Sequence, residues 1–174
     1  MRSLLRKSLF SSLFLFTALS VTQSCADEKV TKQAQKFDIP EFANVYSTES
    51  TFEDAKADLL EAIEDNGLVI SYTSHAENML ANTAEVSGVT KAVYENAEIL
   101  LFCKADLSHA LVAANPHNIV LCPYSIAIYV LNGESEKVYL SYRSFQTLRS
   151  KDENIKSLTK PIEDLLKKII EEVI

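Results

Sequence analysis

The chain has 174 residues, 47% hydrophobic and 24% charged, enough to bury one core of ordinary domain size. It has no Trp and only three Gly and four Pro, which excludes collagen-like and low-complexity classes. Its formal net charge of −7, with no basic stripe, disfavours a nucleic-acid role, because phosphate binding needs clustered Lys and Arg.

Residues 1–26 read as a targeting segment. Arg2, Arg6 and Lys7 precede an apolar run over residues 8–21, which is short for a membrane span of about 20 residues but suits a secretory signal. Ser24 and Ala26 are small residues at the −3 and −1 positions for cleavage after Ala26. Two rival readings stay open: lipidation of Cys25, although Thr22 and Gln23 are poor residues for such a site, and an uncleaved anchor. Cleavage takes three positive charges and no acid, moving the formal charge from −7 to −10. The expected location is periplasmic or secreted, or on a membrane through Cys25, with no transmembrane span in the mature form.

Residues 27–43 form a polar tether. A strand is expected over 44–50, then a helix with capping-box spacing at Ser50 and Glu53 and with Phe52, Ala55, Leu59, Ala62 and Ile63 on one face. Asn66-Gly67 supplies a left-handed stop. A strand follows over 68–75, then a helix over 76–88 that buries Met79, Leu80 and Ala84. Residues 97–104 are a bounded apolar run, expected as a buried strand; Asp106 can cap a helix over 107–114, ended by Asn115-Pro116. A long strand over 119–131, bent at Pro123, turns at Asn132-Gly133 into an alternating strand over 136–144. There Val138, Leu140 and Tyr142 share one face, and Tyr139, Ser141 and Arg143 the other. Ser150 and Glu153 repeat the capping-box spacing ahead of an amphipathic C-terminal helix, which Pro161 either kinks or restarts. The order predicts an α+β two-layer sandwich: a mainly antiparallel sheet of about five strands, helices on one face, and a C-terminal helix that packs on the sheet or on a partner.

Three stretches carry a family resemblance: "ADLSHALVAANP", the strand opening "CPYSIAIY", and "KVYLSYR" after the turn. From about Val45 to Arg143 the chain resembles the bacterial domain-of-unknown-function family 302, many members of which have an aliphatic-aliphatic-Pro pattern where this chain has Leu121-Cys122-Pro123. The resemblance implies a compact α+β domain with an antiparallel sheet, able to form a homodimer, and implies no enzyme activity. The expected organisation is a signal at 1–26, a tether at 27–43, the family-like domain at 44–150 and a helical extension at 151–174 packing on it.

Candidate chemistry centres on Cys103, His109, His117 and Cys122, spaced C-x5-H-x7-H-x4-C. Three readings stay open. The residue types suit zinc or copper, but the spacing matches no known finger or ribbon. A Cys103–Cys122 disulfide is permitted in an oxidising compartment, provided the two strands are antiparallel and their ends meet. Two thiols packed as small apolar residues are the third. Tyr124, Tyr129, Tyr139, Tyr142 and Arg143 gather in the hairpin, where tyrosines ordinarily make cross-strand pairs; a face with Tyr139, Ser141 and Arg143 also suits a groove for a small anionic or planar ligand. His75, at a strand end, reads as a surface residue. The ligand-binding candidates are therefore Cys103, His109, His117, Cys122, Tyr124 and Arg143. No phosphate loop, catalytic triad or glycosidase carboxylate pair is evident, so the expectation is a non-enzymatic envelope domain binding a small ligand or partner, with thiol-redox or metal handling through Cys103 and Cys122 as the alternative. The cofactor and the ligand stay unspecified.

Overall fold

A computed structural model of the protein describes residues 37–146 and 153–174. The leader, Cys25, most of the tether and Ser150 lie outside the described residues. Five strands form one antiparallel sheet in the order β1-β5-β4-β3-β2: β1 (Ala43–Glu49), β2 (Val69–His75), β3 (Tyr94–Cys103), β4 (Tyr124–Leu131) and β5 (Lys137–Arg143). Helices α1 (Phe52–Asp65), α2 (Ala76–Thr83), α3 (Ala105–Ala114) and α4 (Glu153–Glu171) complete the expected α+β fold.

Strand alternation decides which face is buried. Leu100 and Phe102 of β3, Tyr124, Ile126, Ile128 and Val130 of β4, and Val138, Leu140 and Tyr142 of β5 all point into one core. Helix α1 adds Phe52, Ala55, Leu59, Ala62 and Ile63, the stripe its sequence periodicity marks, and α3 adds Leu111. Ile162, Leu166, Ile169 and Ile170 of α4 are buried in the same core. Each such side chain contributes about 1.5–3 kcal/mol on leaving water, which is why α4 packs back on the domain. Its end is tied to the end of α1: Asn66 Nδ2 donates to Glu172 Oε2 and Lys168 Nζ to Asn66 Oδ1, both at 2.8 Å. The helix runs unbroken through Pro161.

Four local expectations are corrected. The N-cap of α1 is Thr51, not Ser50; its backbone is extended (φ −75°, ψ 155°) and its hydroxyl accepts from the Asp54 amide at 3.1 Å, so the cap lies one residue later. Helix α3 starts at Ala105, which places Asp106 inside the first turn, where it favours the positive helix end without capping it. Helix α2 stops at Thr83, and Met79 and Leu80 are 56% and 45% exposed rather than buried. It packs on β3, where Glu77 Oε2 accepts from the Ala97 amide, while α1, α3 and α4 fill the core. Finally, residues 116–121 are a 3-10 helix and not strand. Pro116 suits its first turn, the Asn115 side chain accepts from the His117 amide at 2.9 Å, and strand pairing begins only after Pro123.

The β4–β5 turn forms where Asn132-Gly133 predicts it, with Gly133 at φ 97°. One polar group in the core comes from the alternation itself. Glu98 lies two residues before Leu100 on β3, so it faces inward; its Oε1 accepts from Lys56 Nζ at 2.8 Å and lies 3.3 Å from His75 Nδ1.

Candidate functional site

The antiparallel pairing of β3 with β4 sets Phe102 opposite Tyr124. This register brings Cys103, just after Phe102, to the same end of the sheet as Cys122, two residues before Tyr124. The 18 residues between the thiols, 104–121, carry α3 and the 3-10 helix. The two cysteines are free and lie near enough for each to feel the other's charge, with Cys103 exposed and Cys122 half-buried.

Helix α3 supplies the third member. Ser108 and the buried Leu111 are three residues apart and share a helix face, which turns the Ser108 hydroxyl toward the thiols. Cys122 Sγ donates to Ser108 Oγ at 3.4 Å, and Ser108 Oγ lies 3.2 Å from Tyr124 Oη. The corner is thus two thiols backed by two hydroxyls. The Tyr124 ring is buried and meets Phe145 edge-on, with centroids 6.4 Å apart.

The electrostatics favour neutral groups. Although Cys103 lies at the surface, partial desolvation of its thiol is the first cause that pushes its pKa up, with the neighbouring Cys122 adding to it; hydrogen bonds from the Tyr124 backbone and Ser108 oppose the rise. Burial pushes the Tyr124 phenol up to about 12, the Ser108 hydrogen bond partly opposing it. A raised thiol pKa means little thiolate at neutral pH, which is unlike an activated catalytic cysteine.

Of the sequence candidates, Cys103, Cys122 and Tyr124 come together here. His109 is exposed on α3, and His117 is exposed on the 3-10 helix. Among the described residues no three His, Cys, Asp or Glu side chains group so as to hold a metal ion, so the four-residue Cys/His set does not assemble. Arg143 is exposed at the end of β5, paired with Ala43 of β1. Ser108 is the participant that the sequence reading missed; its spacing from Leu111 is the signal that marks it.

Comparison with known proteins fits this fold. No curated protein matches the chain. A solved structure, that of an uncharacterized conserved DUF302 protein from Bacillus stearothermophilus, superposes with a TM-score of 0.65 at 14% identity, covering 78% of this chain and 100% of the other. At that identity the likeness shows the fold alone. The family model described as "Domain of unknown function DUF302" matches residues 44–173, and so takes in α4 as well as the stretch whose sequence carries the resemblance. The chain belongs to the DUF302 family.

Proposed function

We propose that this protein is an exported, non-enzymatic binding domain of the bacterial envelope, released after Ala26 or held through Cys25, whose working site is the Cys103–Cys122 corner. The observation that carries the reading is the strand register that brings two free thiols to one end of the sheet, beside the Ser108 hydroxyl. Two neighbouring sulfurs, with no third His, Cys, Asp or Glu grouped with them among the described residues, favour a soft, two-coordinate cation over a tetrahedral one. Binding such a cation forms two metal–sulfur bonds and releases the two thiol protons. Ser108, braced by Tyr124, accepts from Cys122 Sγ and can donate to it instead when that sulfur becomes charged.

The test is a competition titration of reduced full-length mature chain with Cu(I) against a chromophoric chelator. One equivalent taken up per chain, lost in both Cys103→Ser and Cys122→Ser, supports the proposal; uptake unchanged in these variants overturns it. The second reading, a reversible disulfide, is favoured by the same proximity and by an oxidising compartment. In that reaction the two thiols give up two protons and two electrons to a partner disulfide, which becomes a dithiol. Thiol counting on protein isolated without reductant separates the readings: two free thiols per chain eliminate the disulfide.

A further inference from the structure

The face of the sheet away from the core carries a second feature, independent of the dithiol corner. Residues 37–40 fold back over it, with the Ala43 amide donating to the Pro40 carbonyl at 2.9 Å to close the turn. Between this segment and the strands lies a groove of about 610 Å³, within the usual range for a small-molecule site. Its floor is three tyrosines from β3, β4 and β5. Tyr129 and Tyr139 stack at 5.3 Å with an interplanar angle of 9°, and Tyr94 stands edge-on to Tyr129 at 5.5 Å and 78°. Phe37 and Ile39 wall it and remain 54% and 62% exposed.

The charges decide what such a groove takes. Asp38 and Glu134 line it against one cation, Lys137. That cation is already committed to the floor, its Nζ 4.9 Å from the centre of the Tyr139 ring. The lysine and the Tyr139 hydroxyl, which donates to Glu134 Oε2 at 2.6 Å, are both engaged at the Tyr139 side of the floor. The next depression, across the β4–β5 turn, adds Glu49 and Glu136 to the same acidic end. Neither Ser141 nor Arg143 lines the groove, so the guanidinium that would suit an anionic ligand is absent from its walls.

We infer that the groove over Tyr94, Tyr129 and Tyr139 binds a small organic cation with an apolar or aromatic body, held by cation–π attraction to the tyrosines and by the Asp38 and Glu134 carboxylates. Cation–π attraction strengthens as the cation loses water, and a walled aromatic floor supplies that desolvation.

The chain has no Trp, so its intrinsic fluorescence is tyrosine fluorescence, and three of its seven tyrosines form the floor. Mature protein titrated with benzyltrimethylammonium should show a saturable fluorescence change, and benzoate should bind at least tenfold more weakly. Asp38→Asn, at an exposed position, should weaken the cation severalfold without altering the fold, and Tyr94→Leu should weaken it about tenfold. Circular dichroism confirms that each variant is folded. A response that does not saturate at millimolar cation, equal binding of benzoate, or an unchanged affinity in Asp38→Asn and Tyr94→Leu overturns the inference. So does sedimentation showing a dimer at assay concentration whose tyrosines are shielded from the probe.

Discussion

Replacing Lys56 by Met removes the cation that faces Glu98 while keeping the length of the side chain. The two groups are 2.8 Å apart, and the Glu98 side chain is only 9% exposed, so its charge has little water to fall back on. At an effective dielectric of about 20 the pair attracts by about 6 kcal/mol before desolvation is counted. Breaking a buried pair typically costs about 3–5 kcal/mol. The Lys56 side chain is 25% exposed, which softens the loss, and His75 Nδ1 at 3.3 Å supplies a partial substitute. The expected cost is therefore about 3 kcal/mol, at the low end of that range. Glu98→Leu should cost less, about 1 kcal/mol, because the lysine can extend its ammonium into solvent. The double variant Lys56→Met with Glu98→Leu should recover most of the loss, since apolar replacements of a buried pair are often neutral. Urea unfolding with an unchanged denaturant slope measures all three and yields the coupling energy. A Lys56→Met cost within about 0.5 kcal/mol of zero would refute the reasoning, because surface substitutions fall in that band. It would mean that Glu98 is hydrated, with water reaching its buried Oε2, which has no hydrogen-bond partner here.

Thr51→Ala should destabilise the protein by about 1 kcal/mol in the same assay while Ser50→Ala leaves it nearly unchanged; the reverse order would move the α1 cap back to Ser50. Ile169→Ala should cost about 2–5 kcal/mol, and deletion of residues 153–174 should unfold the domain as seen by near-ultraviolet dichroism; a folded, soluble truncation would show that α4 is dispensable to the core. Tyr124 gives a pH dependence with a definite sign. Its folded pKa is raised to about 12 from an ordinary value of 10, so above pH 10 the unfolded chain releases a proton that the folded one retains. The stabilisation is complete below pH 10 and is lost as pH rises through 12. Tyr124→Phe should flatten that fall in urea midpoints measured between pH 9 and 12; an equally steep fall assigns it to other tyrosines.

The elements whose period and punctuation agree were legible in advance. The α1 stripe from Phe52 to Ile63, the Gly67 stop at φ 72°, and the inward row Val138, Leu140 and Tyr142 follow from spacing and turn chemistry alone. Residues 119–121 were misread because an apolar, β-branched run looks like strand whether or not it is buried. Ile119 and Val120 are in fact 61% and 80% exposed, and the Asn115 side chain with Pro116 settles the local structure. Met79 and Leu80 failed for a related reason: a helical spacing says which residues share a face and not whether that face has anything to cover.

The site was legible only in part, because its assembly depends on topology. A connection of the length between Cys103 and Cys122 serves an antiparallel pair or a parallel crossover equally well, and only the former brings the sulfurs to one end. Ser108 became visible once α3 was oriented by Leu111. The tyrosine groove follows from a different departure from pattern. An antiparallel sheet with one solvated face should alternate apolar inward and polar outward. Here the outward row of β3 and β4 holds Ile99, Leu101, Ala127, Tyr129 and Leu131, all half-buried. Part of that shielding comes from residues 37–40, whose own apolar side chains remain exposed at the groove wall. A floor this aromatic under a partial cover is better matched to an amphipathic guest than to water. The charge on that guest is set by the carboxylates at the rim, which is why Asp38→Asn, a change that leaves the apolar walls intact, is the more decisive of the groove variants.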